Sequence, residues 1–182
     1  MAHTGYLSTV RRVTKLGNLG EALAVECLAQ QRFRNIENLN VKWPNYPFAD
    51  LIAERDDVRY LIGVKARNEM RQGDVGLNES YNLILIPNSK NAELKRQGKS
   101  SNEITTILLS EVRALAGKHG AIPAWITIPI RVRQGEYSAY FGLVSDLGNR
   151  RSVPMTFEAR RRYEVLAENV RDPRITPDLL NR

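Results

Sequence analysis

Asp50 and Lys65 are a pair of residues whose types and spacing suggest a chemical site. Residues 48–54 are rich in apolar side chains and are predicted as a first strand, residues 55–57 form a turn signal, and residues 59–67 follow as a second strand. Side chains two residues apart in a strand share a face, so this hairpin is expected to bring an acid close to an amine on one side of a sheet. The alternative is a cross-strand ion pair at the surface, worth about 0.5 kcal/mol.

Glu21 is a second acid in an unusual place. A helix is predicted over residues 19–31, with Asn18 as its N-cap. At 3.6 residues per turn, Glu21 falls beside Ala24 and Leu28 on the side that faces the core. A carboxylate there is costly to bury unless it is paired or binds a metal. The alternative is a first-turn glutamate that favours the helix dipole while its tip stays in water.

The composition indicates one globular domain of ordinary size. The chain has 182 residues, 42% of them hydrophobic and 26% charged, which is enough to bury a core and argues against disorder. Its net charge of +7 favours nucleic acid as a partner, although many basic domains bind no specific anion. The single cysteine excludes an internal disulfide. Because the sequence has neither a membrane-length apolar run nor a signal peptide, we expect a cytoplasmic location.

The predicted elements follow the order α-β-β-β-α-β-β-α, which is typical of a mixed sheet covered by helices. We predict a basic N-terminal arm at residues 1–16, a single domain at 17–171 and a poorly ordered tail at 172–182. Pro129 suggests that its strand lies at an edge or carries a bulge. The other predicted elements are an irregular strand (33–43), a loop (68–82), a short strand or turn (81–87), an exposed loop or flap (88–101), a helix (102–118) capped by Ser100 or Ser101, two strands (124–133 and 137–144) and an amphipathic helix (156–170).

Together these features resemble the PD-(D/E)XK nuclease superfamily, in particular its small branch near Holliday junction resolvases. The opening helix of that branch carries a GxxGExxA-like motif, matched here by Gly17, Gly20, Glu21 and Ala24. In the family an Asp ends a short apolar stretch, as at residues 48–50, and the third strand ends in an acid, an apolar residue and Lys. The resemblance covers roughly residues 17–133 and implies an α/β restriction-endonuclease-like fold, with a mixed central sheet flanked by helices.

The resemblance also implies hydrolysis of DNA phosphodiesters that depends on Mg²⁺ or Mn²⁺. This reaction needs an activated water and stabilisation of the charge that grows on the phosphate, and a bound Mg²⁺ provides both. Asp50 would be the central metal ligand, Glu21 would be a further ligand or hold a metal-bound water, and the Val64 carbonyl would complete the shell. Lys65 would orient or activate the water and neutralise the developing charge.

Gly63 departs from the family pattern, which has an acid two residues before the lysine. A glycine inside a strand usually marks a bulge or a close approach of backbone or ligand. Three explanations remain open. Glu21 or another acid, such as Glu111 or Glu69, has taken over the role. The domain is catalytically degenerate and is retained for binding DNA or a protein. Gly63 is itself an inactivating substitution.

Basic residues suggest where nucleic acid would bind. Arg67 lies on the same strand face as the lysine and could hold a phosphate. The other candidates are Arg11, Arg12 and Lys15 in the N-terminal arm, and Arg71 beyond the strand. By resemblance, a homodimer would cut the two strands of DNA. The rival hypotheses are a non-catalytic DNA-binding or protein-interaction module on the same fold, and a basic α/β domain unrelated to nucleic acid.

Overall fold

The fold is a mixed six-stranded sheet with helices on both faces. The computed structural model describes residues 4–43, 46–71, 76–86 and 88–179, and the side chains within these ranges except those of 4–14, 88 and 89. The strands are β1 (Arg34–Asn38), β2 (Leu51–Arg55), β3 (Val58–Asn68), β4 (Ser80–Asn82), β5 (Ile122–Arg131), β6 (Glu136–Leu143), β7 (Ser152–Pro154) and β8 (Glu164–Arg171). The helices are α1 (Thr4–Gln30), α2 (Leu39–Lys42), α3 (Asn88–Arg96), α4 (Ser101–Lys118) and α5 (Phe157–Arg160).

The main sheet has the order β1-β2-β3-β5-β6-β8, and β4 pairs with β7 in a separate two-stranded sheet. Strands β3 and β5 are parallel, because α3 and α4 lie in the crossover between them, and the other neighbours are antiparallel. The predicted class, an α/β fold with a mixed central sheet flanked by helices, is therefore confirmed.

Hydrophobic side chains cover both faces of the sheet because neighbouring residues of a strand point to opposite sides. Ile126 of β5 packs in one core with Leu23 and other apolar residues of α1. The preceding residue, Trp125, packs in a second core with Ile104 and other residues of α4. The sheet therefore separates α1 from α4, and alternate residues of a strand pack against one helix or the other.

The central hairpin forms as predicted. Strands β2 and β3 are antiparallel in the register Leu51↔Ile62, and only Asp56 and Asp57 lie between the paired ends. Both aspartates have positive φ values, 51° and 60°, as a type I′ hairpin turn requires. Asp and Asn tolerate this backbone region better than most residues, so the turn signal in the sequence has a direct conformational cause.

Helix α1 begins at Thr4, well before the predicted start at residue 19. Asn18 therefore lies inside the helix, and its expected role as N-cap is wrong. A glycine in a helix interior costs only about 1 kcal/mol relative to alanine, so Gly17 does not interrupt a helix that packs on a sheet. None of the described helices is long and apolar enough to cross a membrane.

The second long helix, α4, forms as predicted. Its N-cap is Ser100, whose hydroxyl accepts a hydrogen bond from the Glu103 N–H at 3.2 Å. The Glu103 carboxylate in turn accepts one from the Ser100 N–H at 2.9 Å, which completes a capping box. Ahead of it, the segment expected as a loop at 88–101 contains helix α3, so that expectation is wrong for most of its length.

The helix predicted over residues 156–170 is also wrong, and with it the final α of the predicted element order. Only α5 is helical there, and β8 follows it as an outer strand paired with β6. Without β8, the backbone groups of β6 would be unpaired at the sheet edge, and this long-range pairing outweighs the helical pattern. The tail beyond β8 packs on the domain, since Ile175 is only 4% exposed in the core beside α1.

Pro129 lies in β5, which is an interior strand with β3 on one side and β6 on the other. The expectation that its strand lies at an edge is therefore wrong. The paired residues of β5 and β6 pass from Thr127 directly to Ile130, so the proline falls in a gap of that ladder. A proline lacks the N–H that a paired position would use, and this gap accommodates it.

Candidate functional site

Glu21 reaches the sheet because Gly20 precedes it in α1. A Cβ atom on Gly20 would overlap the Cβ of Ala66 in β3, so only glycine allows this approach of helix and strand. The Glu21 side chain is half-buried beside β1 and β2 rather than free in solvent. Glu21 therefore lies on the side of α1 that faces the sheet, as the helical spacing predicts.

Asp50, directly before β2, is held in place by three hydrogen bonds with backbone groups. Its N–H donates to the Ile62 carbonyl at 2.9 Å, and its own carbonyl accepts from the Leu39 N–H at 2.8 Å. The carboxylate Oδ2 accepts from the Val64 N–H at 2.6 Å. The Asp50 side chain thus accepts a β3 backbone hydrogen bond that a main-chain carbonyl of the neighbouring strand would otherwise accept. This bond fixes the orientation of the side chain relative to β3.

Two asparagines that the sequence analysis did not identify join the acids. The Asn40 Nδ2 donates to Glu21 Oε1 at 3.2 Å and to Asp50 Oδ1 at 3.1 Å. The Asn38 Nδ2 donates to Glu21 Oε2 at 3.2 Å. Asn38 is also the N-cap of α2, with its Oδ1 accepting from the Asn40 N–H at 2.9 Å. The structure therefore brings Glu21 and Asp50 together, although 29 positions separate them in the sequence.

Val64 and Lys65 are consecutive residues of β3, and the Val64 N–H contacts the Asp50 carboxylate. The N–H and C=O groups of one strand residue point to the same side, so the Val64 carbonyl faces the same side as its N–H, which Asp50 binds. Lys65 is half-buried and points to the opposite face of the strand from the Val64 side chain. Asp50 and Lys65 form no ion pair with each other or with any other residue that the structure describes. The reading of the two as a cross-strand ion pair is therefore wrong.

Neither of the two carboxylates forms an ion pair with a side chain that the structure describes. Within the described ranges, their side-chain partners are the amides of Asn38 and Asn40, which are neutral. No group of three or more His, Cys, Asp or Glu side chains in those ranges is placed to hold a metal. A metal here would therefore need carbonyl and amide oxygens in addition to the two carboxylates. Such an all-oxygen donor set fits Mg²⁺ or Mn²⁺ and suits softer metals less well.

Gly63 is closely packed against its surroundings. A Cβ atom at this position would lie 2.9 Å from the Phe48 carbonyl oxygen and 3.0 Å from the Leu83 Cδ1. One of these contacts is with backbone, which cannot move aside cheaply. The close backbone approach suggested by the sequence is thus present, and the position where the resembling family has its second acid has no room for a side chain.

The two candidates for a replacement acid lie elsewhere. Glu69 is 8% exposed and forms an ion pair with Arg160, while Arg131 lies 3.6 Å from its other oxygen. Glu111 is exposed on α4, where both carboxylate oxygens accept hydrogen bonds from Lys90. Each carboxylate therefore already has a cation partner, and neither contacts Glu21 or Asp50.

The basic candidates lie on β3, on the segment that follows it and on α1. Arg67 is exposed two residues beyond Lys65 on the same strand face, and Arg71 is exposed further along the chain. Lys15 is exposed on α1. The side chains of Arg11 and Arg12 lie outside the part of the chain that the structure describes.

The residues brought together are thus two acids, two amides and the Val64 backbone, at the point where α1, α2 and the hairpin meet. Lys65 follows Val64 in the strand, with its side chain on the opposite face. Glu21, Asp50 and Lys65 could be found from residue type and strand or helix position. Asn38 and Asn40 carried no such signal, because asparagines in a loop-like segment are common. Comparison of the chain with models of known protein families, with curated proteins and with solved structures found no match.

Proposed function

We propose that this protein is a metal-dependent DNA endonuclease with a restriction-endonuclease-like fold. The observation that carries the proposal is the shared amide of Asn40, which joins the carboxylates of Glu21 and Asp50. Two neighbouring carboxylates that form no ion pair within the described residues attract a cation by their combined charge. The placement of the first acid on α1, the second at the start of β2 and the lysine on β3 supports the same reading.

Each residue of the site would have a separate role in phosphodiester hydrolysis. Asp50 and Glu21, with the Val64 carbonyl, would hold Mg²⁺ or Mn²⁺, which supplies water activation and neutralises charge on the phosphate. Lys65 is next to that carbonyl and would place its ammonium group at the phosphate, where it orients the attacking water and stabilises the growing negative charge. The hydrogen bond from the Val64 N–H keeps Asp50 in one orientation, so the site is organised before substrate binds.

The charge of the protein supports DNA as the substrate. The net charge is +7, and Arg67 is exposed on the same face of β3 as Lys65, where it would hold a phosphate adjacent to the one that is cut. Arg71 and Lys15 are also exposed, and each would hold a further phosphate. Cleavage of both strands of a duplex would need two such sites, so we propose that a homodimer acts on duplex or branched DNA.

The proposal is tested with supercoiled plasmid and branched DNA, incubated with Mg²⁺ or Mn²⁺ or with a chelator. We expect cleavage by the wild type only with metal, and a loss of about 10²-fold or more in Asp50→Asn. The matched control is Glu54→Gln, which removes a carboxylate from the same hairpin but outside the site. Equal cleavage by the wild type and Asp50→Asn would overturn the proposed site.

The packing of Gly63 favours a second candidate, a catalytically degenerate domain that binds DNA without cutting it. The position of the family's second acid is closed by Phe48 and Leu83, so the site has one acid fewer than the resembling enzymes. This candidate predicts DNA binding that weakens steeply with salt, and no cleavage with either metal. The same incubations, analysed by gel shift as well as by cleavage, distinguish the two functions.

A further inference from the structure

We propose that the Asn40 side chain is a metal ligand, through its amide oxygen, in the place of the acid that Gly63 cannot provide. This inference rests on the proposed function, because it concerns the same metal. Asn40 belongs to α2 and thus to a different element from the strand that supplies the second acid in the resembling family. The metal site would then consist of Glu21, Asp50, Asn40 and the Val64 carbonyl.

The position of the amide is the first support. Its Nδ2 lies 3.2 Å from Glu21 Oε1 and 3.1 Å from Asp50 Oδ1, so one end of the amide sits between both carboxylates. Rotation of the amide by half a turn exchanges its nitrogen and oxygen with little movement of other atoms. The oxygen would then occupy the point between the two acids that the nitrogen occupies without a cation.

The spacing of these atoms suits Mg²⁺. Neighbouring oxygen ligands of an octahedral Mg²⁺, each about 2.1 Å from the ion, lie about 3 Å apart. The distances of 3.2 and 3.1 Å from the amide position to the two carboxylate oxygens match that separation closely. Without a cation the same contacts are favourable only with the N–H end inward, so the amide orientation reports whether the site is loaded.

The freedom of Asn40 to turn distinguishes it from Asn38. The Asn38 Oδ1 accepts from the Asn40 N–H at 2.9 Å, so rotation of the Asn38 amide would break the cap of α2. The Asn40 Oδ1 accepts no hydrogen bond from any described residue. Asn38 is therefore fixed as a donor to Glu21, whereas Asn40 can present either end to the acids.

The test measures Mn²⁺ affinity by electron paramagnetic resonance, with no DNA present, for the wild type, Asn40→Ala, Asn40→Asp and Asn38→Ser. If Asn40 is a ligand, we expect Asn40→Ala to weaken Mn²⁺ binding about tenfold or more, and Asn40→Asp to bind at least as tightly as the wild type. Asn38→Ser keeps a capping side chain and removes only a donor to Glu21, so its effect should be much smaller.

The opposite result has a clear meaning. If Asn40 only donates hydrogen bonds to the carboxylates, it competes with the metal, and Asn40→Ala would bind Mn²⁺ as tightly as the wild type or more tightly. That outcome overturns this inference and leaves the proposed nuclease function standing. If the wild type itself binds no Mn²⁺, both the inference and the proposed function are overturned. Circular dichroism of each metal-free variant confirms folding. If Asn40→Ala does not fold, the similarly sized Asn40→Leu, which removes both the amide oxygen and its N–H groups, decides between weaker binding, as the inference requires, and equal or tighter binding, which overturns it.

Discussion

Gly20 of α1 lies against Ala66 of β3 so closely that a methyl group on Gly20 would overlap the Ala66 Cβ. We predict that Gly20→Ala destabilises the protein by about 1–3 kcal/mol, because helix and strand must move apart. Gly17→Ala is the matched control in the same helix, since nothing lies within 4 Å of its Cβ position and alanine favours a helix by about 1 kcal/mol. Urea unfolding of both variants checks this. A loss of stability in both, or in neither, would contradict the described packing of α1 on β3.

The packing of Gly63 predicts the outcome of restoring the family's acid. Gly63→Glu should destabilise the fold and should not gain metal-dependent cleavage, because its Cβ would lie 2.9 Å from the Phe48 carbonyl oxygen. Gly63→Ala should be destabilised by about 1–3 kcal/mol for the same reason. Thermal unfolding and plasmid cleavage measure both properties. A stable Gly63→Glu protein that cuts DNA faster than the wild type would show that this position is an open ligand site after all.

The ion pair between Glu69 and Arg160 is buried, with side-chain exposures of 11% and 8%. Glu69→Gln should cost about 3–5 kcal/mol of stability, because it leaves a buried guanidinium without its counter-charge. The exposed pair of Lys90 and Glu111 is the control, and Glu111→Gln should cost less than about 1 kcal/mol. Denaturant titration of the two variants gives the comparison. Equal losses would mean that Glu69 is more hydrated than the structure indicates.

Asp172 gives a pH-dependent contribution to stability. Hydrogen bonds from the Arg174 side chain, together with its backbone N–H and positive charge, lower the pKa of Asp172. A carboxylate whose pKa is lowered on folding stabilises the protein above its unfolded pKa, about 3.9, and loses that contribution as the pH falls through the folded pKa. Asp172→Asn should therefore be less stable than the wild type at pH 6, and the difference should shrink by pH 3. A difference that stays constant between these pH values would contradict the assignment.

The parts of the fold that were predictable from sequence rest on local interactions. The β2–β3 hairpin follows from two aspartates that tolerate positive φ between two segments predicted as strands. Helix α4 follows from a capping box in which Ser100 and Glu103 satisfy each other's backbone groups. In both cases residues within a few positions of each other determine the structure, so the local sequence is enough to predict the element.

The errors come from long-range pairing. Residues 164–171 have a helical pattern, but they form a strand because β6 offers a whole edge of unpaired backbone groups. Asn40 was missed because its importance depends on Glu21 and Asp50, which reach it only after α1 packs on the sheet. Glu21 was identified because an acid on an apolar helix face is unusual, and Asp50 because the predicted hairpin brings it close to Lys65. An asparagine in a connecting segment has no such signal.

The central claim is that Glu21 and Asp50 hold a metal and Lys65 acts on the phosphate beside it. The most direct test measures Mn²⁺ binding and DNA cleavage in parallel for the wild type, Asp50→Asn and Lys65→Met, which keeps the apolar stem of the lysine. The account predicts that Asp50→Asn loses both properties, whereas Lys65→Met binds Mn²⁺ normally and loses cleavage by about 10²-fold or more. Wild-type cleavage by Lys65→Met, or undiminished Mn²⁺ binding by Asp50→Asn, would contradict it.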